Sequence, residues 1–262
     1  MTSIVGVICN DGVVIGTDSS ATSVSAGGFK TSEHRTTKIR VIGEQVIVAG
    51  TGSVGLGQRF CAVVESLLGK GAFDRSGIEV GKALSATGQQ DFHNTFHPPG
   101  AYGALVAYRA ADGLHLCELA IGDFQPEQKY GDQIWYCSMG SAQPITDPFL
   151  GFIRGVFWEN GMPNVHEGTF AVTWTLQHAI DFNPGGVNGP IQVAILQIVD
   201  GASIARILPD SELDQHQQQI SEAIQHLRSL RTELRDIDSP DVPDVPRPQA
   251  GTPNLGEGVS LA

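Results

Sequence analysis

Tight turns divide the apolar stretches of this 262-residue chain into hairpins, and this feature constrains the fold most strongly. The first is Asn10-Asp11-Gly12, and Asp-Gly between apolar runs is a strong signal for a short hairpin loop. Four pairs of apolar runs are separated in this way: 3–9 and 13–15, 38–42 and 45–49, 101–108 and 114–119, and 192–199 and 202–208. The sequence therefore predicts antiparallel sheets built from hairpins.

Helical segments lie between the groups of strands. Helical spacing of apolar residues, with glycine stops, predicts helices at 53–68, 77–92, 147–157, 169–180 and 211–234. We interpret the polar stretch 19–36 as a loop or an irregular edge, and 133–137 as a further strand. Groups of strands alternating with pairs of helices favour helices layered on antiparallel sheets over a repeated strand–helix–strand unit.

Composition excludes several classes of function. The formal net charge of −12, without a basic run, argues against nucleic-acid binding because the chain would repel phosphates. No apolar stretch has the length of a membrane helix, and the N-terminus has no secretory signal pattern. Four scattered cysteines show no metal or disulfide spacing, so we expect Cys9, Cys117 and Cys137 to be core residues and the chain to be cytoplasmic.

The last residues differ in composition from the rest of the chain. We predict one domain over 1–237, ending in the helix at about 211–235. Residues 238–262 are rich in Pro and Asp, and such a segment cannot bury enough apolar surface to fold. We therefore expect a disordered tail.

A set of short motifs is spaced along the first two hundred residues. Thr2-Ser3-Ile4-Val5-Gly6 is followed by Asp11-Gly12-Val13-Val14 and by Asp18-Ser19-Ser20-Ala21-Thr22. Lys38-Ile39, Ala49-Gly50, Gly140-Ser141 and Asp181 with Gly185-Gly186 come later. In this order and spacing, the motifs closely resemble the β-subunits of proteasomes and the related bacterial ATP-dependent peptidase. The resemblance covers about residues 2 to 208.

The resemblance implies the fold of N-terminal-nucleophile hydrolases, in the α+β class. This is a four-layer αββα sandwich in which two antiparallel sheets lie between helical layers. It also implies a threonine endopeptidase in which Thr2 becomes the nucleophile once Met1 is removed. The hydroxyl would attack the peptide carbonyl and the free α-amine, with an ordinary pKa of about 7.7–8.0, would accept its proton.

The resemblance also assigns supporting roles. Lys38 would lie beside Thr2, Asp18 would hold Lys38, and the Gly50 N–H would stabilise the oxyanion. Ser141 and Asp181 match positions that hydrogen-bond around the threonine amine. The side-chain pocket beside the scissile bond would be roomy and apolar, with polarity from Thr36 and Arg40, and its walls would be Ala21, Val48 and Gly52.

This chain departs from the family pattern at several positions. Ser20 replaces the usual arginine, Pro184 replaces a serine of the amine-binding group, and the loop before Lys38 is about four residues longer. Two alternatives therefore stay open. One is an amidase of the same fold that acts on small amides, and the other is a proteasome-like ring subunit with little or no catalytic activity.

Two other motifs have weaker interpretations. The string G-x-G-x-x-G from Gly50 to Gly55 imitates a dinucleotide fingerprint, but its strand belongs to a hairpin rather than to a βαβ unit. His93 and His97 could form a metal pair, yet the prolines that follow favour a surface helix end. We therefore predict no metal and no cofactor.

The resemblance implies partners as well. Subunits of this family assemble into closed rings with the threonines facing an inner chamber, so we expect a homo-oligomer whose substrates are peptides or unfolded proteins. An ATP-driven unfoldase usually feeds such a chamber and is an expected partner.

Overall fold

The computed structural model describes residues 2–24, 30–93, 102–130, 134–159, 161–182 and 186–236. Met1, Pro184, His97 and the tail 238–262, on which some of the expectations above fall, lie outside these residues. The chain divides into two units, residues 1–221 and 222–262. The first contains every strand of the described residues, and the described part of the second continues the last helix to Asp236.

The elements follow the predicted order of strands and helix pairs. The strands are β1 (Ser3–Ile8), β2 (Gly12–Thr17), β3 (Ser20–Val24), β4 (Lys30–Arg35), β5 (Ile39–Ile42), β6 (Val46–Gly52), β7 (Tyr102–Ala110), β8 (Gly113–Leu119), β9 (Pro126–Lys129), β10 (Tyr136–Gly140), β11 (Gln192–Val199) and β12 (Ala202–Ile207). The helices are α1 (Val54–Gly69), α2 (Gly77–His93), α3 (Gln143–Phe157), α4 (Val165–Phe182) and α5 (Asp210–Asp236).

Two five-stranded antiparallel sheets form the centre of the first unit. One has the order β10-β1-β2-β11-β12, and the other has the order β5-β6-β7-β8-β9. The four predicted hairpins are confirmed, because β1 pairs with β2, β5 with β6, β7 with β8 and β11 with β12. The chain is thus a mixed α/β protein with antiparallel sheets.

Three buried apolar clusters explain why the strands read as continuous apolar runs. One combines side chains of both sheets, such as Ile4 and Ile15 from the first and Ile47 and Leu105 from the second. Another joins the second sheet to α1 and α2, and the third joins the first sheet mainly to α4. Strands that are buried on both faces lose the alternation of apolar and polar residues.

Several elements differ from the sequence-based prediction, and three of the differences have a clear physical reason. Part of the polar stretch 19–36 forms the two-stranded ribbon β3–β4, and polar strands of this kind lack the apolar signal. Strand β10 runs from Tyr136 to Gly140 rather than over 133–137, because its register is set by pairing with β1. Helix α3 begins at Gln143, since Pro144 is tolerated in a first turn although it resembles a breaker.

The burial of the cysteines and the character of the helices agree with the predictions made from composition. Cys9, Cys117 and Cys137 are buried, as predicted, and burial is the main cause that raises the pKa of each thiol. Within the described residues, no helix combines the length and apolar character needed to cross a bilayer.

Candidate active site

The hydroxyl of Thr2 lies beside a buried ion pair. The Nζ atom of Lys38 is 3.4 Å from the Thr2 Oγ1 and 2.6 Å from the Asp18 Oδ1. Asp18 is fully buried and the Lys38 side chain is 8% exposed. A buried charge requires a partner, so the Asp18 carboxylate fixes the ammonium next to the Thr2 hydroxyl.

Backbone N–H groups hold the Asp18 carboxylate in place. Its Oδ1 accepts a hydrogen bond from the Ser3 nitrogen at 2.9 Å, and its Oδ2 accepts from Ser20 at 3.0 Å and Asn188 at 3.4 Å. Asp18 follows directly after β2, the strand that pairs with β1. The pairing of the first hairpin therefore brings the carboxylate back to the beginning of the chain, although 16 positions separate it from Thr2.

Burial also alters the electrostatics of Lys38. Desolvation lowers the pKa of the Lys38 ammonium from its ordinary value, while the nearby charge of Asp18 opposes this change. The ammonium can lower the proton affinity of a hydroxyl or an amine at this distance, because a positive charge disfavours a second protonation beside it.

Ser141 contacts the main chain of Thr2. The Thr2 nitrogen donates a hydrogen bond to the Ser141 Oγ at 3.2 Å, and the Ser141 hydroxyl reaches the Thr2 carbonyl oxygen at 3.3 Å. In the chain that still carries Met1, this nitrogen is a peptide N–H. Ser141 follows β10, whose Gly140 pairs with Ser3, so the sheet itself sets this contact.

A polar network anchors the junction between β10 and α3, next to Ser141. The Thr146 hydroxyl donates to the Ser138 Oγ at 2.6 Å and lies 3.2 Å from the carbonyl oxygen of Ala142. Ser138 in turn donates to Asp147. These bonds tie the last residues of β10 to the first turn of α3, and so restrict the position of Ser141.

Gly50 lies on β6 at the wall of the site. A Cβ at this position would come within 2.5 Å of the Tyr102 hydroxyl and within 2.7 Å of its ring, closer than any real side chain can approach. Tyr102 is buried against Phe60, Phe92 and Phe124. Glycine at position 50 therefore leaves the backbone of β6 open to a ligand.

A cavity of about 540 Å³ opens beside Thr2. It is lined by Thr2, Lys38 and Gly50, and by all three of the predicted substrate-binding residues, Ala21, Val48 and Gly52. This volume lies within the range of small-molecule and peptide side-chain sites. The cavity can hold a substrate side chain beside the Thr2 hydroxyl.

Asp181 is the predicted site residue whose hydrogen bond goes to its own helix rather than to this cluster. It lies in the last turn of α4, is exposed, and its Oδ1 accepts a hydrogen bond from Gln177 at 2.8 Å. The next residues, 183–185, lie outside the described part of the chain. Thr2, Asp18, Lys38, Gly50 and Ser141 therefore lie together, whereas Asp181 is hydrogen-bonded to Gln177 of its own helix.

The sequence did not indicate several residues of the cavity. Glu65, Cys61 and Gln58 line it from α1, and Tyr102 lines it from β7. For the α1 residues, the sequence contains one relevant pattern. Positions 54, 57, 58, 61, 62 and 65 have the spacing of a single helix face, so they point to the same side of α1. Asn188, whose N–H reaches Asp18, had no sequence signal.

The fold does not support a dinucleotide site at Gly50 to Gly55, and His97 of the His93–His97 pair lies outside the described residues. Strand β6, which carries Gly50 and Gly52, pairs antiparallel with β5 and β7 and so lacks the parallel βαβ unit of a dinucleotide site. Among the described residues, no group of three or more His, Cys, Asp or Glu side chains could hold a metal ion.

Comparisons with known proteins agree with the resemblance. The family model for proteasome subunits matches residues 1–143, which is more than half of the chain and includes every site residue named above up to Ser141. No curated protein matches the sequence. The family match covers the hairpins that carry Thr2, Asp18, Lys38 and Gly50, so this chain belongs to the proteasome subunit family, as a β-subunit-like member.

Proposed function

We propose that this chain is a threonine endopeptidase subunit that hydrolyses peptide bonds inside an oligomeric ring. Its nucleophile is Thr2, exposed once Met1 is removed. The observation that carries the proposal is the position of the Lys38 ammonium, 3.4 Å from the Thr2 Oγ1 and paired with the buried Asp18. An N-terminal threonine needs such a cation, because its hydroxyl is a weak nucleophile at neutral pH.

The chemistry follows from these groups. The Thr2 oxygen attacks the carbonyl carbon of the scissile bond while its proton passes to the Thr2 α-amine, directly or through water. The C–N bond then breaks, the departing amine takes up that proton, and an ester to Thr2 is left. Water hydrolyses the ester and returns the proton to the Thr2 oxygen.

The remaining site residues have supporting roles in this proposal. The Gly50 N–H donates to the oxyanion, a contribution of about 10²–10³ in rate where such donors have been removed from other enzymes. Ser141 orients the amine, and Ala21, Val48 and Gly52 contact the side chain before the scissile bond. We keep Asp181 as a positioning residue of the ring-assembled enzyme.

The proposal extends to architecture and assembly. The three apolar clusters support a four-layer αββα sandwich over a domain of residues 1–237. We propose that copies of this chain form a closed ring in the cytoplasm. An ATP-driven unfoldase would deliver unfolded protein to the chamber.

Covalent labelling tests the proposed nucleophile. A peptide epoxyketone reacts with the hydroxyl and the free amine of a terminal threonine together, so intact mass spectrometry should show a chain without Met1 that carries one inhibitor. Thr2→Ser keeps both groups and should still be labelled, whereas Thr2→Ala should not. A purified chain that retains Met1 and forms no adduct refutes the proposal.

The position of Asp181 favours a second candidate, a ring subunit with little catalytic activity. Its carboxylate is exposed and bonded to Gln177 rather than to Ser141 or Thr2, so the amine has less support than the proposal requires. In that case Met1 is removed and the ring forms, but the epoxyketone reacts no faster with the wild-type chain than with Thr2→Ala.

A further inference from the structure

We infer that Arg40 selects substrates with an acidic side chain immediately before the scissile bond. The inference rests on the proposed peptidase function, and it names the substrate class of that site. It changes the expectation of an apolar pocket to which Thr36 and Arg40 only add polarity, because the cavity beside Thr2 is lined by a guanidinium that is available to a carboxylate.

Strand geometry directs Arg40 into the cavity. Its neighbour Ile39 is buried in the cluster between the two sheets, so alternation places Arg40 on the opposite face of β5. Arg40 pairs across the strands with Val48, which belongs to the cluster on the helix side of the sheet. Both Arg40 and Val48 line the cavity together with Thr2.

The distance along the strand suits the side chain next to the scissile bond. Lys38 and Arg40 are two residues apart and so lie on the same face, with a rise of roughly 6.6 Å between their Cα atoms. The Lys38 ammonium contacts the Thr2 hydroxyl. Arg40 is therefore one side chain further along the cavity from the point of attack.

Within the described part of the chain, the charge of Arg40 has no ion-pair partner, unlike that of Lys38. Lys38 is neutralised by Asp18, whereas Arg40 forms no ion pair with any of the residues that the structure describes. Glu65 also lines the cavity, from α1, but its carboxylate is not within ion-pair distance of Arg40. A guanidinium in this state offers two parallel N–H groups to a carboxylate.

The rest of the cavity suits the stem of an acidic side chain. Val48 and Ala21 provide apolar contacts for methylene groups, and Gly52 leaves room beside them. The charge of Arg40 also acts on the Cys61 thiol, where it opposes the rise in pKa that burial causes. Cys61 lines the same cavity, so the guanidinium and the thiol are neighbours there.

Two peptides that differ only in the residue before the scissile bond test the inference, one with glutamate and the other with the isosteric glutamine. We expect wild-type kcat/KM to favour glutamate by about tenfold, the effect of one charge-assisted hydrogen-bond pair. Arg40→Gln should reduce the ratio of kcat/KM for the glutamate peptide over the glutamine peptide to about one. Arg40→Lys should give an intermediate ratio, because lysine keeps the positive charge but cannot donate two parallel hydrogen bonds to a carboxylate.

Two further variants control for net charge and for the opposing carboxylate. Arg75→Gln removes the same charge from an exposed position outside the cavity and should leave the ratio unchanged. Glu65→Gln removes the repulsion of the substrate carboxylate and should raise the ratio. The preference of the wild type should also decrease as salt is added.

The outcomes separate this inference from the function on which it rests. If the epoxyketone labels Thr2 and both peptides are cleaved, but the ratio is one or is unchanged in Arg40→Gln, the inference is wrong and the proposed function stands. If neither peptide is cleaved and no adduct forms, both are overturned.

Discussion

At the scale of single residues, Asp18 and Lys38 determine whether the site can exist. The carboxylate is fully buried, and three backbone N–H groups and the ammonium satisfy its oxygens. The attraction between the two charges is largely offset by the cost of removing both of them from water. The pair therefore positions a charge for chemistry more than it stabilises the fold.

We expect Lys38→Met to abolish catalysis and to destabilise the chain by about 3–5 kcal/mol, because it leaves the Asp18 carboxylate buried without a cation. The double variant Asp18→Asn with Lys38→Met should recover most of this stability but none of the activity. Urea unfolding and epoxyketone labelling measure the two effects. A single variant as stable as the wild type would show that the ion pair is not buried in solution.

Gly50 shows a second constraint at this scale. We expect Gly50→Ala to cost about 1–3 kcal/mol, because the added Cβ meets the Tyr102 ring, which the surrounding aromatic residues hold in place. Combining it with Tyr102→Leu should cost less than the sum of the two single changes. Gly55→Ala in α1 is the matched control, since its Cβ would meet nothing within 4 Å, and it should be neutral or stabilising. Additive costs would contradict the contact.

At the scale of elements, caps and turns fix where α4 packs on the first sheet. Asn164 and Glu167 exchange side-chain to backbone hydrogen bonds of 2.9 Å at the beginning of the helix, which is a capping box. The Asp11 carboxylate in the β1–β2 turn accepts from the Val165 N–H at 2.7 Å. The first hairpin and α4 are thus connected by a polar contact as well as by apolar packing.

We expect Asn164→Ala to reduce the free energy of unfolding by about 0.5–2 kcal/mol, the usual value of an N-cap. Asn164→Asp retains an oxygen that can accept from the Glu167 N–H and adds a negative charge at a helix N-terminus, so it should be close to the wild type. Chemical denaturation of both variants measures the difference. Equal losses for Ala and Asp would indicate that the cap contributes nothing.

The sequence predicted the existence of these elements better than their boundaries. A hairpin turn such as Asn10-Asp11-Gly12 depends on the conformational preferences of its own residues, so it can be predicted from the sequence. The register of β10 has no local cause, since it depends on pairing with β1. The ribbon β3–β4 was missed for the same reason, because its polar strands pair with each other rather than bury an apolar face.

At the scale of the whole molecule, buried histidines connect the stability of the first unit to pH. His216 of α5 is buried, its ring is 4.6 Å from that of His166 of α4, and its Nδ1 has no hydrogen-bond partner among the described residues. Burial, and then the charge of His166, lowers the pKa of His216, while a hydrogen bond with Gln219 and the charge of Glu212 oppose this change. Burial also lowers the pKa of His178.

These shifts set the sign of the pH dependence. Because the folded pKa lies below the unfolded value of about 6.5, the unfolded chain binds more protons as the pH falls through that value. Stability that is present above pH about 6.5 is therefore lost on acidification. We expect His216→Phe to lose less stability than the wild type when the pH falls below about 6.5. Thermal unfolding of both proteins at several pH values measures this difference. If the stability of both proteins falls equally with pH, His216 does not determine the pH dependence.

The sequence alone determined the antiparallel hairpins, the family and the identity of the residues around Thr2, because these features are recorded in local turns and in short motifs. The tertiary structure decided which of those residues meet. It brought Asp18, Lys38, Gly50 and Ser141 to Thr2 through strand pairing, and it left Asp181 at the exposed end of α4. It also placed Arg40 inside the cavity, since the face on which a strand residue lies depends on what its neighbours bury against.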